Sequence, residues 1–237
     1  MNKASLYLFP TLLGETDYKQ VLPEENIEKI LSCDCFIVEE LRTARRFLRK
    51  IGYKKDFDTC TFYLLNEHTK DTEIDAMLEP ITKQGKDIFL MSEAGLPCIA
   101  DPGAKVTALA QRKHINISPL VGPSSIFLSL MASGFNGQNF AFLGYLPIKE
   151  DERAKFLRKI EDRVYKEDQT QIFIEAPYRN DKMFQFLCKN LKNQTMLCIA
   201  TDITLPTQSI RSQSISTWIK EKDFVIGKRN TIFLIYK

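Results

Sequence analysis

The sequence predicts an α/β protein with mostly parallel sheets. Strand-like apolar runs alternate with helical patterns from end to end, the pattern of βαβ units with covered sheets. Gly/Pro turns stand just after several of the runs. With 237 residues, the chain is long enough for one large domain or two of about 100–130 residues each.

Leu6-Tyr7-Leu8-Phe9 is a short apolar run closed by Pro10. Pro23-Glu24-Glu25 opens a helix with proline and acids in its first turn, and Ile27, Ile30 and Leu31 form its buried stripe. Cys35–Val38 is the next strand, followed by a basic helix over 43–51 that ends at Gly52. Ile74, Met77, Leu78 and Ile81 have helical spacing over 71–83, with Pro80 expected to kink that helix. A strand over 87–91, a long loop, a helix over 104–113 and a strand over 115–118 complete the first half. Pro119-Leu120-Val121-Gly122-Pro123 is the candidate hinge, dividing a domain 1–118 from a domain 119–237. Beyond it, Ser124–Ser133 reads as a small-residue helix capped by Gly134. Strands near 140–143, 171–174, 196–201 and 231–235 then alternate with helices near 151–165, 181–191 and 214–221.

Composition narrows the class. Apolar residues make up 44% and charged residues 27%, ordinary for a globular protein. A net charge of +3 is too small to argue for a nucleic-acid partner by itself. Neither a membrane span nor a secretory signal is expected, because no run of about 18 apolar residues occurs. The six cysteines lie mostly in apolar contexts, which suits a reducing compartment and a cytoplasmic location. Cys33-x-Cys35 lacks metal-ligand spacing and His68 and His114 are distant in sequence, so no metal is expected.

Three familiar site signatures are missing. No G-x-G-x-x-G follows the first strand, no P-loop occurs, and there is no nucleophile elbow. What remains is a set of turns after strands: Pro10–Gly14, Ser92–Gly103, Val121–Ser125 and Leu143–Pro147. Such turns bring backbone N–H and C=O groups close to a ligand and can hold a zwitterion without a phosphate loop. The connection Ser92–Gly103 stands out, with two Gly, two Pro and two acids beyond the carboxyl end of a buried strand. That is the ligand-binding end of an open α/β sheet, and it is read as a cofactor loop.

Taken in order, these stretches resemble the tetrapyrrole methylase superfamily, the class III S-adenosylmethionine-dependent methyltransferases. Within it they are most similar to the bacterial ribosomal RNA small-subunit methyltransferase I family, which methylates a cytidine 2′-hydroxyl. The matching segments are Leu6–Gly14, Glu39-Glu40-Leu41-Arg42, Ser92–Gly103, Pro119–Ser125, Ala132-Ser133-Gly134, Phe142–Pro147 and Phe173–Arg179. The Ser92–Gly103 loop resembles the family's S-D-A-G-T-P-x-I-x-D-P-G. The resemblance implies two αβα domains with S-adenosylmethionine in a cleft between them, a homodimer and no metal. It implies cofactor contacts from Pro10, Ser92, Ala94, Gly95, Ile99, Asp101 and Gly103 in the first domain, and from Ser124, Ser125, Phe142 and Leu143 in the second.

The chain also departs from the family pattern. Glu93 and Leu96 replace aspartate and threonine, and Tyr178 stands where histidine usually precedes Arg179. Ala200-Thr201-Asp202-Ile203-Thr204 resembles A-R-E-L-T without its arginine and glutamate. Leu205, Gln208 and Arg229-Asn230 replace further charged or glycine positions, and the extra C-terminal helical region of many members does not follow Lys237. The cofactor half of the resemblance is intact and the substrate half is eroded.

Methyl transfer to a hydroxyl needs alignment first and then a base for the departing proton. Glu93, Asp101 and Glu175 are the candidate acids, with Arg42 and Arg179 as positioning cations. Asp101 equally fits a cap for the following helix, and Glu175 with Arg179 equally fits an ion pair bracing a proline turn. Arg42, Arg45, Arg46, Arg49, Lys50, Lys54 and Lys55 run without an intervening acid, as either a phosphate-binding or a solvated helix face. The 149–168 stretch carries seven charges of each sign and reads as a solvated helix. The leading expectation is methylation of a small-subunit ribosomal RNA ribose. The alternatives are a small-molecule or tetrapyrrole methylase, and a catalytically lapsed cofactor-binding module.

Overall fold

The computed structural model describes residues 4–66 and 68–237. The chain forms two compact units, the first running to Ser124 and the second from Ser125 to Lys237.

In the first unit the elements run β1 (Ser5–Phe9), α1 (Glu24–Ser32), β2 (Cys35–Val38), α2 (Leu41–Lys50), β3 (Thr61–Leu64), α3 (Asp71–Met77), α4 (Glu79–Gln84), β4 (Ile88–Met91), α5 (Gly103–Arg112) and β5 (Asn116–Pro119). The sheet order is β3-β2-β4-β1-β5, and every neighbouring pair is parallel. Helical crossovers join successive strands, which is what parallel pairing requires. β2 and β4 are buried at every position, as expected for strands covered on both faces. Phe9, Phe36, Phe89, Leu6 and Ile37 fill the core. The helix expected over 71–83 breaks at Leu78, because Pro80 in the first turn of α4 has no N–H to continue the ladder. The edge strand β3, half exposed and four residues long, is an addition to the expected set.

The second unit contains α6 (Ser125–Ser133), β6 (Phe140–Tyr145), α7 (Glu150–Glu167), β7 (Thr170–Ile174), α8 (Asn180–Asn190), β8 (Met196–Thr201), β9 (Ser209–Ser214), α9 (Ile215–Trp218) and β10 (Thr231–Tyr236). Its order is β6-β7-β10-β8-β9. Only β6–β7 is parallel; β7–β10, β10–β8 and β8–β9 are antiparallel. The expectation of mostly parallel pairing therefore holds for the first sheet and is corrected for the second. The cause is local: residues 202–208 are too short for a crossover, so β9 folds back beside β8. The helix expected near 214–221 is the single turn of α9, which begins directly after β9 and ends at Trp218. Trp218 anchors this corner, donating its indole N–H to the Leu197 carbonyl at 2.9 Å.

Candidate functional site

The order β4-β1-β5 sets the carboxyl ends of three parallel strands side by side, and the turns after them meet there. Thr11 N–H donates to the Gly95 carbonyl at 2.9 Å. The buried Ser92 hydroxyl donates to the same carbonyl at 2.8 Å, and the Thr11 hydroxyl donates to the Ser92 carbonyl at 3.1 Å. Backbone approach is very close: a Cβ on Gly122 would lie 2.2 Å from a ring carbon of Pro10. Gly95 is left-handed at φ +74°, and a Cβ there would meet Leu13 at 2.9 Å. No other residue fits these two positions without displacing its neighbours.

Asp101 organises the second half of the loop. Its carboxylate accepts Cys98 N–H at 2.9 Å and Gly103 N–H at 2.8 Å. Burial pushes its pKa up, and these two amides oppose the rise. Cys98 and Ala100 are left-handed at φ 69° and 62°, uncommon for residues other than glycine, and such conformations cluster at ligand sites. Ala94, Ile99 and Ala100 are exposed while Ser92, Gly95 and Gly103 are buried. The loop therefore holds itself together from within and presents backbone and small apolar groups outward. The structure gives Asp101 the bracing geometry, its carboxylate taken up by its own loop.

A cavity of about 160 Å³ opens beside the loop. Thr11, Ser92 and Glu93 line it from the strand ends, and Thr43, Arg46 and Lys50 from α2. Glu40 caps α2 by accepting the N–H groups of Arg42 and Thr43 at 2.8 and 2.7 Å, and these bonds hold its carboxyl below the usual range. Thr43 in turn donates its hydroxyl to Glu93 at 2.7 Å. Glu39 accepts the Glu93 N–H at 3.3 Å, and its pKa is raised, first by burial and then by the charges of Asp101 and Glu93.

The basic run on α2 divides into two groups. Arg45 and Arg49 lie over the Phe57 ring at 5.3 and 4.0 Å, and Arg49 donates to the carbonyls of Tyr53 and Lys55. Lys55 donates to the Ser32 carbonyl, and Lys50 pairs with Glu15 at 2.9 Å. Arg42 and Arg46 are exposed, one turn apart. Part of the run is thus structural, and part faces outward near the cavity.

The second unit gathers its motif residues at one sheet edge. Glu175, with its side chain 5% exposed, accepts Ala176 N–H at 2.8 Å and both Nε and Nη2 of Arg179 at 2.8 and 2.6 Å. The pair braces the turn after β7. Phe142 and Leu143 are half-buried in β6, and Ser125 is the first residue of α6, directly after Ser124 at the end of the first unit. Several of the altered positions are hydrogen-bonded to one another at the same edge. Asp202 accepts from Arg229 Nε at 2.7 Å and from the Thr207 hydroxyl at 2.8 Å, and Gln208 accepts Thr204 N–H at 2.9 Å. Asp202 N–H donates to the Asn230 carbonyl at 2.9 Å. An ion pair between Asp202 and Arg229 thus stands among the residues that depart from the family pattern.

Sequence reasoning passed over Thr11 and Thr43 as site residues. Thr11 follows Pro10 directly and Thr43 lies one turn after a capping acid, but only the fold sets both against the loop. Among the described residues no His/Cys/Asp/Glu cluster could hold a metal, and no helix is long and apolar enough to cross a membrane.

Residues 20–218 match the family model described as Tetrapyrrole (Corrin/Porphyrin) Methylases. The Ribosomal RNA small subunit methyltransferase I of Vibrio cholerae is 28% identical over 92% of this chain and 72% of its own length. That of Haemophilus influenzae is 28% identical over 91% of this chain and 73% of its own length. Among solved structures, the methyltransferase CobJ superposes with a TM-score of 0.63 at 13% identity, covering 99% of this chain and 93% of that one, a likeness of fold.

Proposed function

This chain belongs to the tetrapyrrole (corrin/porphyrin) methylase family and is a methyltransferase; on that premise we propose that it uses S-adenosylmethionine to methylate a ribose 2′-hydroxyl of small-subunit ribosomal RNA. The carrying observation is the cavity beside the Ser92–Gly103 loop, whose α2 wall bears Arg46 in the lining and Arg42 one turn away. Two outward cations on one helix suit a phosphate backbone. Support for RNA over another polyanion comes from relatives named as ribosomal RNA methyltransferases, which align along nearly the whole chain.

The residues fit the donor by their chemistry: a loop of backbone donors and acceptors, one buried hydroxyl and exposed apolar side chains suits a zwitterionic ligand. The residues this reading assigns to it are Pro10, Ser92, Ala94, Gly95, Ile99, Asp101, Gly103, Ser124, Ser125, Phe142 and Leu143. When bound, S-adenosylmethionine supplies an electrophilic methyl group. The chain's own residues do the rest. Asp101 and Glu175 act as positioning residues, since each carboxylate is already engaged by its own turn. Glu93 is the candidate carboxylate that lines the cavity, and we assign it to take the proton from the acceptor hydroxyl. Thr43 holds that carboxylate in place. Arg42 and Arg46 position the RNA backbone, and Arg179 keeps the turn after β7 in shape. The reading includes a homodimer working in the cytoplasm.

The test is methyl transfer from labelled S-adenosylmethionine to small ribosomal subunits from a strain lacking this protein. Incorporation at one ribose, leaving that linkage resistant to alkali, is expected. No incorporation, or a product that remains alkali-labile, overturns the 2′-hydroxyl assignment.

A further inference from the structure

Two large aromatic side chains stand in solvent where adjacent strands end. Tyr145, the last residue of β6, is 60% exposed, and Tyr178, in the turn after β7, is 69% exposed. Single exposed aromatics are common on protein surfaces, but these two share further features. β6 and β7 are parallel neighbours, and Tyr145 is in register with Ile174, the residue before Glu175. The register shifts between Phe142 and Tyr145, and Gly144 is left-handed at φ +65°. A break of this kind re-aims the side chain that follows it.

Arg179 completes the group. Its guanidinium lies 5.3 Å from the centre of the Tyr178 ring, and its Nε and Nη2 are both held by Glu175 Oε1, at 2.8 and 2.6 Å. The hydrogen bond and charge of Glu175 hold the Arg179 pKa above its ordinary range. A guanidinium already fixed loses little further freedom when a ligand arrives.

Building on the RNA reading above, we infer that Tyr145, Tyr178 and Arg179 form a stacking shelf for an unpaired nucleobase of the RNA acceptor. Aromatic and guanidinium planes are the groups on which single-stranded bases stack, and they accept any base because every base has a π-face. A paired base in a duplex has its faces covered by its neighbours, so the shelf selects single-stranded RNA. Tyr178 occupies the position where the resemblance places a histidine, so the shelf is larger in this chain.

The experiment is fluorescence anisotropy of the full chain with a labelled oligocytidine RNA of about ten nucleotides. Y145A and Y178A are each expected to weaken binding by about tenfold, while Y145F and Y178F, which keep the ring, stay within about twofold of wild type. Wild-type protein is also expected to photo-crosslink to an iodocytidine version of the probe through Tyr145 or Tyr178, a readout independent of any variant's folding. Wild-type binding that both alanine variants retain, with no crosslink at either tyrosine, overturns the shelf and leaves the RNA reading standing. Failure of the wild-type chain to hold the probe also overturns the shelf, whereas the RNA reading is decided separately by methyl transfer to small subunits.

Discussion

The two sheet edges that carry the motif residues are built from different materials. In the first unit the edge is backbone: the Gly95 carbonyl takes both Thr11 N–H and the Ser92 hydroxyl, and Gly122 packs against Pro10 with no space for a methyl group. In the second unit the edge is made of side chains: Glu175 with Arg179, Asp202 with Arg229, and two exposed tyrosines. A backbone surface tolerates little sequence change, because its shape depends on residues being absent at Cβ. A side-chain surface can be rewritten one residue at a time while the strands beneath stay fixed. This difference accounts for an intact loop motif in one unit beside altered motif positions in the other.

Three substitutions probe that contrast. The largest effect is expected from G122A, whose new methyl would overlap the rigid Pro10 ring. It should cost about 3 kcal/mol in urea unfolding and remove S-adenosylmethionine binding by calorimetry. An unchanged midpoint with normal binding would show that this edge is not built on backbone contact. R179A comes next, because it leaves the Glu175 carboxylate buried with only the Ala176 N–H as a named partner. A loss of about 2 kcal/mol in stability is expected. Cofactor binding should be retained, and equal damage to both would erase the distinction between the edges.

The smallest effect belongs to E39Q, at the margin of the first edge. Burial holds Glu39 protonated to higher pH in the folded state than in the unfolded chain. Its favourable contribution is therefore complete below the unfolded carboxylate range and is lost as pH rises through the raised folded value. E39Q should be more stable than wild type at neutral pH by under about 1 kcal/mol, with the two converging in acid. Melting curves across that range check the sign; a wild type that gains stability relative to E39Q as pH rises would reverse it.

Much of the site was legible because Gly and Pro report backbone geometry directly. The Ser92–Gly103 loop, the Pro10 turn and the Gly122 turn all lie where their composition put them. Charge was less legible. The seven cations between Arg42 and Lys55 read alike in sequence, yet Phe57 and the Tyr53 carbonyl engage Arg45 and Arg49 and not Arg42 or Arg46. For Asp101 and Glu175 the sequence left a catalytic and a bracing role open, and the fold engages both carboxylates within their own turns, because which partner a buried acid takes depends on the folded geometry.

The same division holds for the architecture. Short-range periodicity and turn residues determined the alternation of strands and helices, the kink at Pro80 and the class of the fold. Tertiary structure decided what those signals cannot encode. It placed β10 antiparallel between β7 and β8, and recruited the polar run Ser209–Ser214 as an edge strand. It also carried Tyr145 to the same edge as Tyr178. Periodicity depends on neighbours a few residues apart, whereas strand direction, strand order and the partner of a buried charge depend on contacts between segments far apart in the chain.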